Sequence, residues 1–373
     1  MCNVTHDTVP PSLHIGMAGA GLLGRLAAWT LARQGHRVEV FDPAPDEHPR
    51  HDGQGAAGFT AAGMLSPLAE RESADAALAD LGWASIPHWA KVCQALQAGL
   101  TPGKEGSAPL MQQAGSLLVA HGSDLGAARR VLARLGEHAP TPQALSLDAL
   151  RAMEPALHSS GGPLHAWHLE GEAHIDTVRT LQALHAQAPQ VHWHWGQRVI
   201  NVGAGSLQTE AHTHRFDWVF DLRGTGARPD CEVRGVRGEI VWLHAPGLGL
   251  QRPVRLLHPR HRVYIVPRPG DMVLVGASEI ESEDRSPMSL RSAVELMAAA
   301  HSVLPGLAEA RIHRLDVNLR PALPNHHPIV QVDEGLVRIN GLYRHGWLLA
   351  PALLDQALHR AGLRPARQEH AHV

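Results

Sequence analysis

The chain has 373 residues, enough for two or three domains at about 100–200 residues each, and its 44% hydrophobic content excludes a disordered polymer. Lys and Arg number 33 against 36 Asp and Glu, with no run of five like charges, which excludes a polyanion-binding surface and with it a nucleic-acid partner. The three cysteines, Cys2, Cys93 and Cys231, share no CxxC spacing and cannot all pair, so a disulfide framework and a thiolate zinc site fall away and the composition reads as cytoplasmic.

Residues 1–12 read as a loose tail with no basic stretch of a signal peptide, and no later segment has the unbroken apolar length of a membrane span. The apolar run Leu13–Met17 is a strand that meets a glycine-rich turn. A helix follows, with Leu22, Leu26 and Trp29 three and four residues apart, and stops at Gly35. Arg37–Asp42 alternates as a second strand and enters the Pro/Asp/His-rich loop 43–55. Helices are expected at 86–100, 124–135 and 147–153, broken by the Pro/Gly/Ser-rich stretch 101–109. Asp176 is placed to cap a helix reaching Gln187. Strands follow at 191–195, 199–203 and 215–221. The segment 236–278 is β-rich, with a hairpin where Pro267–Asp271 separates Val263–Val266 from Met272–Val275. Then come a helix burying Leu290, Val294, Met297 and Ala300 on one face, a strand at Leu336–Asn340, a glycine turn and a helix from Leu348 to Arg360.

Gly19, Gly21 and Gly24 form G-x-G-x-x-G between the first strand and the first helix. This is the pattern of a dinucleotide site: the first glycine turns the chain, the second admits the pyrophosphate, and the third packs helix against strand. Asp42 closes the second strand, where a carboxylate accepts from a ribose hydroxyl and repels a 2′-phosphate, which argues against NADP. The motif alone leaves FAD and NAD open. Twenty-eight histidines invite a metal reading at His192/His194, His258/His261 and His326/His327, but none forms H-E-x-x-H, and no metal is expected.

Three further stretches decide the cofactor. Thr60-Ala-Ala-Gly-Met-Leu-Ser-Pro67, Val263-Tyr-Ile-Val-Pro-Arg268 with Val275-Gly-Ala277, and Leu319-Arg-Pro321 with Tyr343-Arg-His-Gly-Trp-Leu-Leu-Ala-Pro351 resemble the D-amino-acid oxidase family of FAD proteins, and within it the glycine oxidases of thiamine biosynthesis. The resemblance runs from about Leu13 to Leu358. It implies an α/β architecture: a discontinuous Rossmann-like FAD-binding domain (13–85, 150–228 and 312–373) interleaved with an α+β, sheet-rich substrate domain (86–149 and 229–311). It implies FAD contacts at Gly19, Ala20, Gly21, Leu22, Leu23, Gly24, Asp42, Thr60, Ala61, Ala62, Gly63 and Met64. An adenine-side contact at Val199, Gly224, and His345, Gly346 and Leu348 around the flavin complete the set.

The same resemblance implies Tyr264, Arg320 and Arg344 as the residues that meet substrate, with Arg320 and Tyr264 at its carboxylate. The expected reaction is oxidative deamination of glycine or a related small amino acid or secondary amine. A hydride passes from Cα to flavin N5, leaving an imine, and O₂ is reduced to H₂O₂. A dehydrogenase with another acceptor or a larger substrate, and a flavin-binding subunit without activity of its own, are the alternatives. A homo-oligomer is implied, with no membrane partner. Physically, a planar guanidinium holds a carboxylate in two-point contact, and a helix starting at Gly346 aims its positive end at a reduced flavin. Four departures bear on substrate choice: Asn318 in place of glycine, Leu342 in place of histidine, Arg223-Gly224 in place of alanine-glycine, and Glu279 in place of an apolar residue.

Overall fold

The structure, a computed structural model, describes residues 12–70, 76–100, 108–135, 141–159, 162–257 and 262–363. Most of the N-terminal tail, the bulk of the Pro/Gly/Ser-rich stretch and the His258/His261 pair lie outside the described residues. Two large sheets organise the chain. The first has six strands in the order Ile329–Asp333, Leu336–Asn340, Trp218–Asp221, His14–Ala18, Arg37–Asp42 and His192–Trp195. All its pairs are parallel except the outermost hairpin, Ile329–Asp333 with Leu336–Asn340. The helix Leu22–Arg33 leaves the C-terminal end of a central strand, the place where open α/β sheets bind ligands. It ends as the sequence indicates, with Gly35 at φ +89° just beyond its C-cap.

The second sheet has eight strands, with Arg311–Ala322 at one edge and Gln143–Leu145 at the other. Period-two alternation gives it two apolar faces. One face, carrying Val241, Val263, Ile265, Val273 and Val275, packs under the helix Leu290–Val303. The other carries Ile240, Trp242, Val266 and Leu274, and meets Ala62 and Met64, the latter from a small three-stranded sheet. Leu164–Leu169 and Arg311–Ala322 both belong to this eight-stranded sheet, so sheet membership crosses the cuts that the sequence places at 150 and 312.

Several expected elements stand where the sequence puts them: Leu125–Leu135, Leu147–Met153, Thr177–Ala186 and the hairpin Arg262–Arg268/Met272–Gly276. Asp176 does cap its helix, accepting from the Arg179 N–H at 3.1 Å. Three expectations are corrected. The segment 215–221 is two strands in two sheets, Thr213–Arg215 and Trp218–Asp221, because Asp217 turns aside to bind the backbone of His14. The helix expected from 86 begins at Ala76 and runs to Ala98 straight through Pro87. Its stripe Leu78, Gly82, Ile86, Trp89, Cys93 and Leu96 is buried, and this tertiary contact outweighs the proline's local cost. The helix Leu290–Val303 buries Ala293, Leu296, Ala300 and Val303, leaving Leu290 81% and Val294 54% exposed.

The last helix, Gly346–Arg360, contains Pro351 and packs against Ala76–Ala98. A proline has no N–H to give the carbonyl four residues before it, which here is that of Trp347. The indole of Trp89 takes that acceptor at 2.5 Å, and the two indoles stack 5.1 Å apart. Among the described residues no helix is long and apolar enough to cross a membrane.

Candidate active site

A cleft of about 650 Å³ has walls from both sheets. At one end lies the glycine turn. Gly19 takes φ +102°, and a Cβ there would sit 2.7 Å from the Leu222 carbonyl oxygen. A Cβ on Gly24 would come within 1.9 Å of the Gly19 carbonyl oxygen, so this glycine locks helix to turn. Gly21 is different: its φ is −74°, and the nearest atom to an added Cβ is 3.7 Å away. The space in front of Gly21 is open cleft. The helix that starts there has no side-chain cap, which leaves its first N–H groups for an anion.

Asp42 Oδ2 accepts from the Ala20 N–H at 2.6 Å, and Oδ1 from the Ala44 N–H at 2.8 Å, so the carboxylate also holds the turn in place. Behind it, buried Arg25 donates to the carbonyls of Ala20, Leu181 and Glu47 at 2.9, 3.1 and 2.7 Å. Burial pulls this guanidinium down to about 10, against the opposing influence of Asp42 and Glu47. On the same wall Arg223 lies 2.7 Å from both Asp221 and Asp230 and reaches the Val199 carbonyl at 3.4 Å.

Thr60–Met64 line the waist of the cleft. Asn318 Nδ2 donates to the Gly55 carbonyl at 3.2 Å and to Thr60 Oγ1 at 3.0 Å, and buried Arg268 donates to the Ala62 carbonyl. The last helix adds Gly346, Trp347 and Leu348, and its N-terminus also lacks a side-chain cap.

At the far end, side chains converge from the eight-stranded sheet. Tyr264 and Arg320 each lie over a glycine of a neighbouring strand. A Cβ at Gly276 would be 2.6 Å from the Tyr264 ring, and one at Gly238 would be 2.5 Å from the Arg320 guanidinium. Arg320 donates to the carbonyls of Ser278 at 3.1 Å and Arg237 at 3.4 Å, and among the described residues it enters no ion pair. Burial raises the Tyr264 hydroxyl above its ordinary range, with Arg320 and Arg268 opposing. Tyr343, at φ 49°, stacks on His326 with centroids 4.8 Å apart and donates to Glu279 Oε1 at 2.6 Å. Arg344 Nη1 lies 3.5 Å from Glu279 Oε2. Arg255 pairs in register with Tyr264 and lines the same wall. Within reach of its charge is Glu172, wholly buried, which accepts from Ser116 Oγ at 2.5 Å and the Leu68 N–H at 3.2 Å. Burial pushes Glu172 up to about 7, with Ser116 and Arg255 holding it back.

A family model described as DAO, FAD dependent oxidoreductase, matches residues 18–354. The chain belongs to this family of FAD oxidoreductases. A Rhizobium etli protein named for thiamine biosynthesis, the oxidoreductase ThiO, is 36% identical over 351 residues, 93% of this chain and 96% of its own. Glycine oxidase structures from Bacillus cereus and Geobacillus kaustophilus both superpose with a TM-score of 0.77, at 20% and 22% identity. They cover 94% and 96% of this chain and 95% and 97% of theirs, a likeness of fold.

FAD, the cofactor of the family, suits the cleft as built. The Gly21 cradle that a Cβ would fill and the two uncapped helix N-termini are what a pyrophosphate and a flavin that gains negative charge require. Of the residues expected at the FAD-oxidoreductase site, all but two line this one cleft. The exceptions are Gly24 and His345. Gly24 is spent on helix–turn packing, and His345 is buried against Tyr343 with ring centroids 6.1 Å apart. Arg344 lines the cleft but is engaged by Glu279. Sequence reasoning did not assign roles to Arg255, Tyr343, Trp347, Gly238 or Gly276. The sparse aromatic content was the available signal for Tyr343, one of two tyrosines. Of the histidine pairs weighed for a metal, one residue in each of the two described pairs has another partner: His194 lies 3.0 Å from Glu39, and His326 contacts Arg234 at 2.9 Å. Among the described residues no group of three His, Cys, Asp or Glu could hold a metal ion.

Proposed function

We propose that the chain oxidises glycine or another small amino acid, with a primary or secondary amine, to an imine, with O₂ reduced to H₂O₂, in the cytoplasm, supplying thiamine biosynthesis as the name of the Rhizobium etli relative describes. The observation that carries this reading is Arg320, fixed by two backbone carbonyls in the cleft wall with no carboxylate of its own among the described residues. Its planar fork is thereby set to take a substrate carboxylate, and Tyr264 beside it adds a directional donor. FAD held in the cleft would supply the redox chemistry, as acceptor of the substrate's hydride and donor of electrons to O₂. The apolar wall of Ile240, Met64 and Ala277 excludes water next to Tyr264. The amine must be neutral so that its lone pair can form the C=N bond as the Cα–H hydride leaves, and Arg320 favours that form by its positive charge. The test is an anaerobic titration of purified yellow protein with glycine, sarcosine and small D-amino acids, followed by O₂ uptake and peroxide assay. Bleaching of the flavin and peroxide in step with turnover are expected. No bleaching by any member of a broad amino-acid and amine panel overturns the reading.

A further inference from the structure

The substrate end of the cleft is lined by three cations whose surroundings differ. Among the described residues Arg320 meets only backbone carbonyls and the neighbouring Tyr264. Arg255 acts on the buried Glu172. Arg344 is engaged by Glu279, whose other oxygen receives the Tyr343 hydroxyl. Glu279 is half-exposed at 46% and Arg344 is 21% exposed, so this pair lies towards solvent while Tyr343 is buried. Arg320 reaches the carbonyl of Ser278, the residue before Glu279, and Glu279, Arg320, Tyr343 and Arg344 all line the one cleft.

We infer that Glu279 sets the charge class of the substrate: by holding Arg344 and the Tyr343 hydroxyl, it leaves Arg320 to take the single carboxylate of a monocarboxylic amino acid and bars a second anionic group. This rests on the amino-acid reading above and deepens it. Without the Glu279 carboxylate, Arg344 and Tyr343 present donors beside those of Arg320, and the same pocket becomes complementary to two carboxylates. With Glu279 in place, a second carboxylate must approach a negative charge and displace a formed ion pair. Specificity of this kind is a difference of affinities, with Glu279 supplying the repulsive element. Glu279 and Arg344 act here through charge placement, so the change belongs in the ratio of dianion to monoanion binding rather than in flavin content.

The experiment uses the holoenzyme and two unreactive probes, acetate and malonate, titrated against the flavin absorbance. The parent should not prefer malonate over acetate. In Glu279→Gln, malonate should bind tighter by about tenfold, the scale of one charge-assisted contact, with acetate within about twofold. In Glu279→Gln/Arg344→Met, that gain should vanish. Glu279→Ala gives the same comparison should the amide disturb folding. Unchanged malonate affinity in both single variants overturns the inference, and so does a gain that survives loss of Arg344. Glycine turnover by the parent is scored separately: its absence counts against the amino-acid reading, while the probe titrations still decide the role of Glu279.

Discussion

At the cofactor end of the cleft the wall is mostly backbone, whereas at the substrate end it is mostly side chains. Gly19, Gly21 and Gly24 lie within six consecutive residues and work by having no Cβ. Tyr264, Glu279, Arg320, Tyr343 and Arg344 come from four separate stretches and meet only because the strands of the eight-stranded sheet are in register with one another and with the turn before the last helix. A backbone site tolerates change in everything but the glycines, while a side-chain site tolerates change in everything but placement. The first end is therefore shared by many substrates, and the second is where substrate choice resides.

Two of the three motif glycines break this comparison most sharply. Gly24→Val puts atoms inside the Gly19 carbonyl and should yield no folded protein, read as insoluble expression. Gly21→Val meets open cleft instead, so it should fold with native-like circular dichroism yet purify colourless. Retained stoichiometric FAD in that variant would mean the pyrophosphate lies elsewhere.

At the substrate end, Arg320→Met should keep FAD and lower kcat/KM for an amino acid by on the order of 10²-fold. Arg320→Lys should recover only part of that, because the point charge lacks the fork. A simple amine without a carboxylate should be oxidised no worse by either variant than by the parent. Equal losses for amine and amino acid would remove Arg320 as the carboxylate anchor.

Glu172 gives a pH test. Its folded value, about 7, lies above that of an unfolded carboxyl, so the folded chain binds the extra proton between those values. The stability from this group is full below about pH 4 and is lost as the pH rises through 7. Melting temperatures from pH 5 to 8 should fall more steeply for the parent than for Glu172→Gln, whose amide stays neutral throughout. Parallel slopes would show that the carboxyl does not titrate in this window.

The smallest effect is expected at Asn318, which ties the Thr60 turn to the sheet edge. Asn318→Gly should cost about 1–2 kcal/mol and a few degrees of melting temperature while leaving substrate preference unchanged. A shift in preference without a loss of stability would reassign this residue to the substrate.

The contrast also explains what could be read before folding. The glycine turn, Asp42 and the capped helix at Asp176 depend on local geometry, so neighbours in sequence announce them. Glu279 stood out only as a departure bearing on substrate choice: its partners Tyr343 and Arg344 lie more than sixty residues away, and only the fold brings them together. The first ten residues of the helix Ala76–Ala98 were hidden by Pro87, whose local penalty is repaid by packing against a distant helix. The inverted face of Leu290–Val303 has another cause. Its buried side is largely alanine and serine, which carry less hydrophobic signal than the exposed Leu290 and Val294.

Gly238 beneath Arg320 and Gly276 beneath Tyr264 make each of these side chains half of a unit whose other half is a hollow in the adjacent strand. Sterically, each half of such a unit constrains the other. A relative that replaces Tyr264 with a small residue is released from keeping glycine at 276, and one that regains a side chain at 238 can no longer hold an arginine at 320 in this pose. Transplanting this substrate pocket into another oxidase therefore means carrying over the hollows as well as the groups that fill them, since an arginine or tyrosine moved alone would arrive with nowhere to lie.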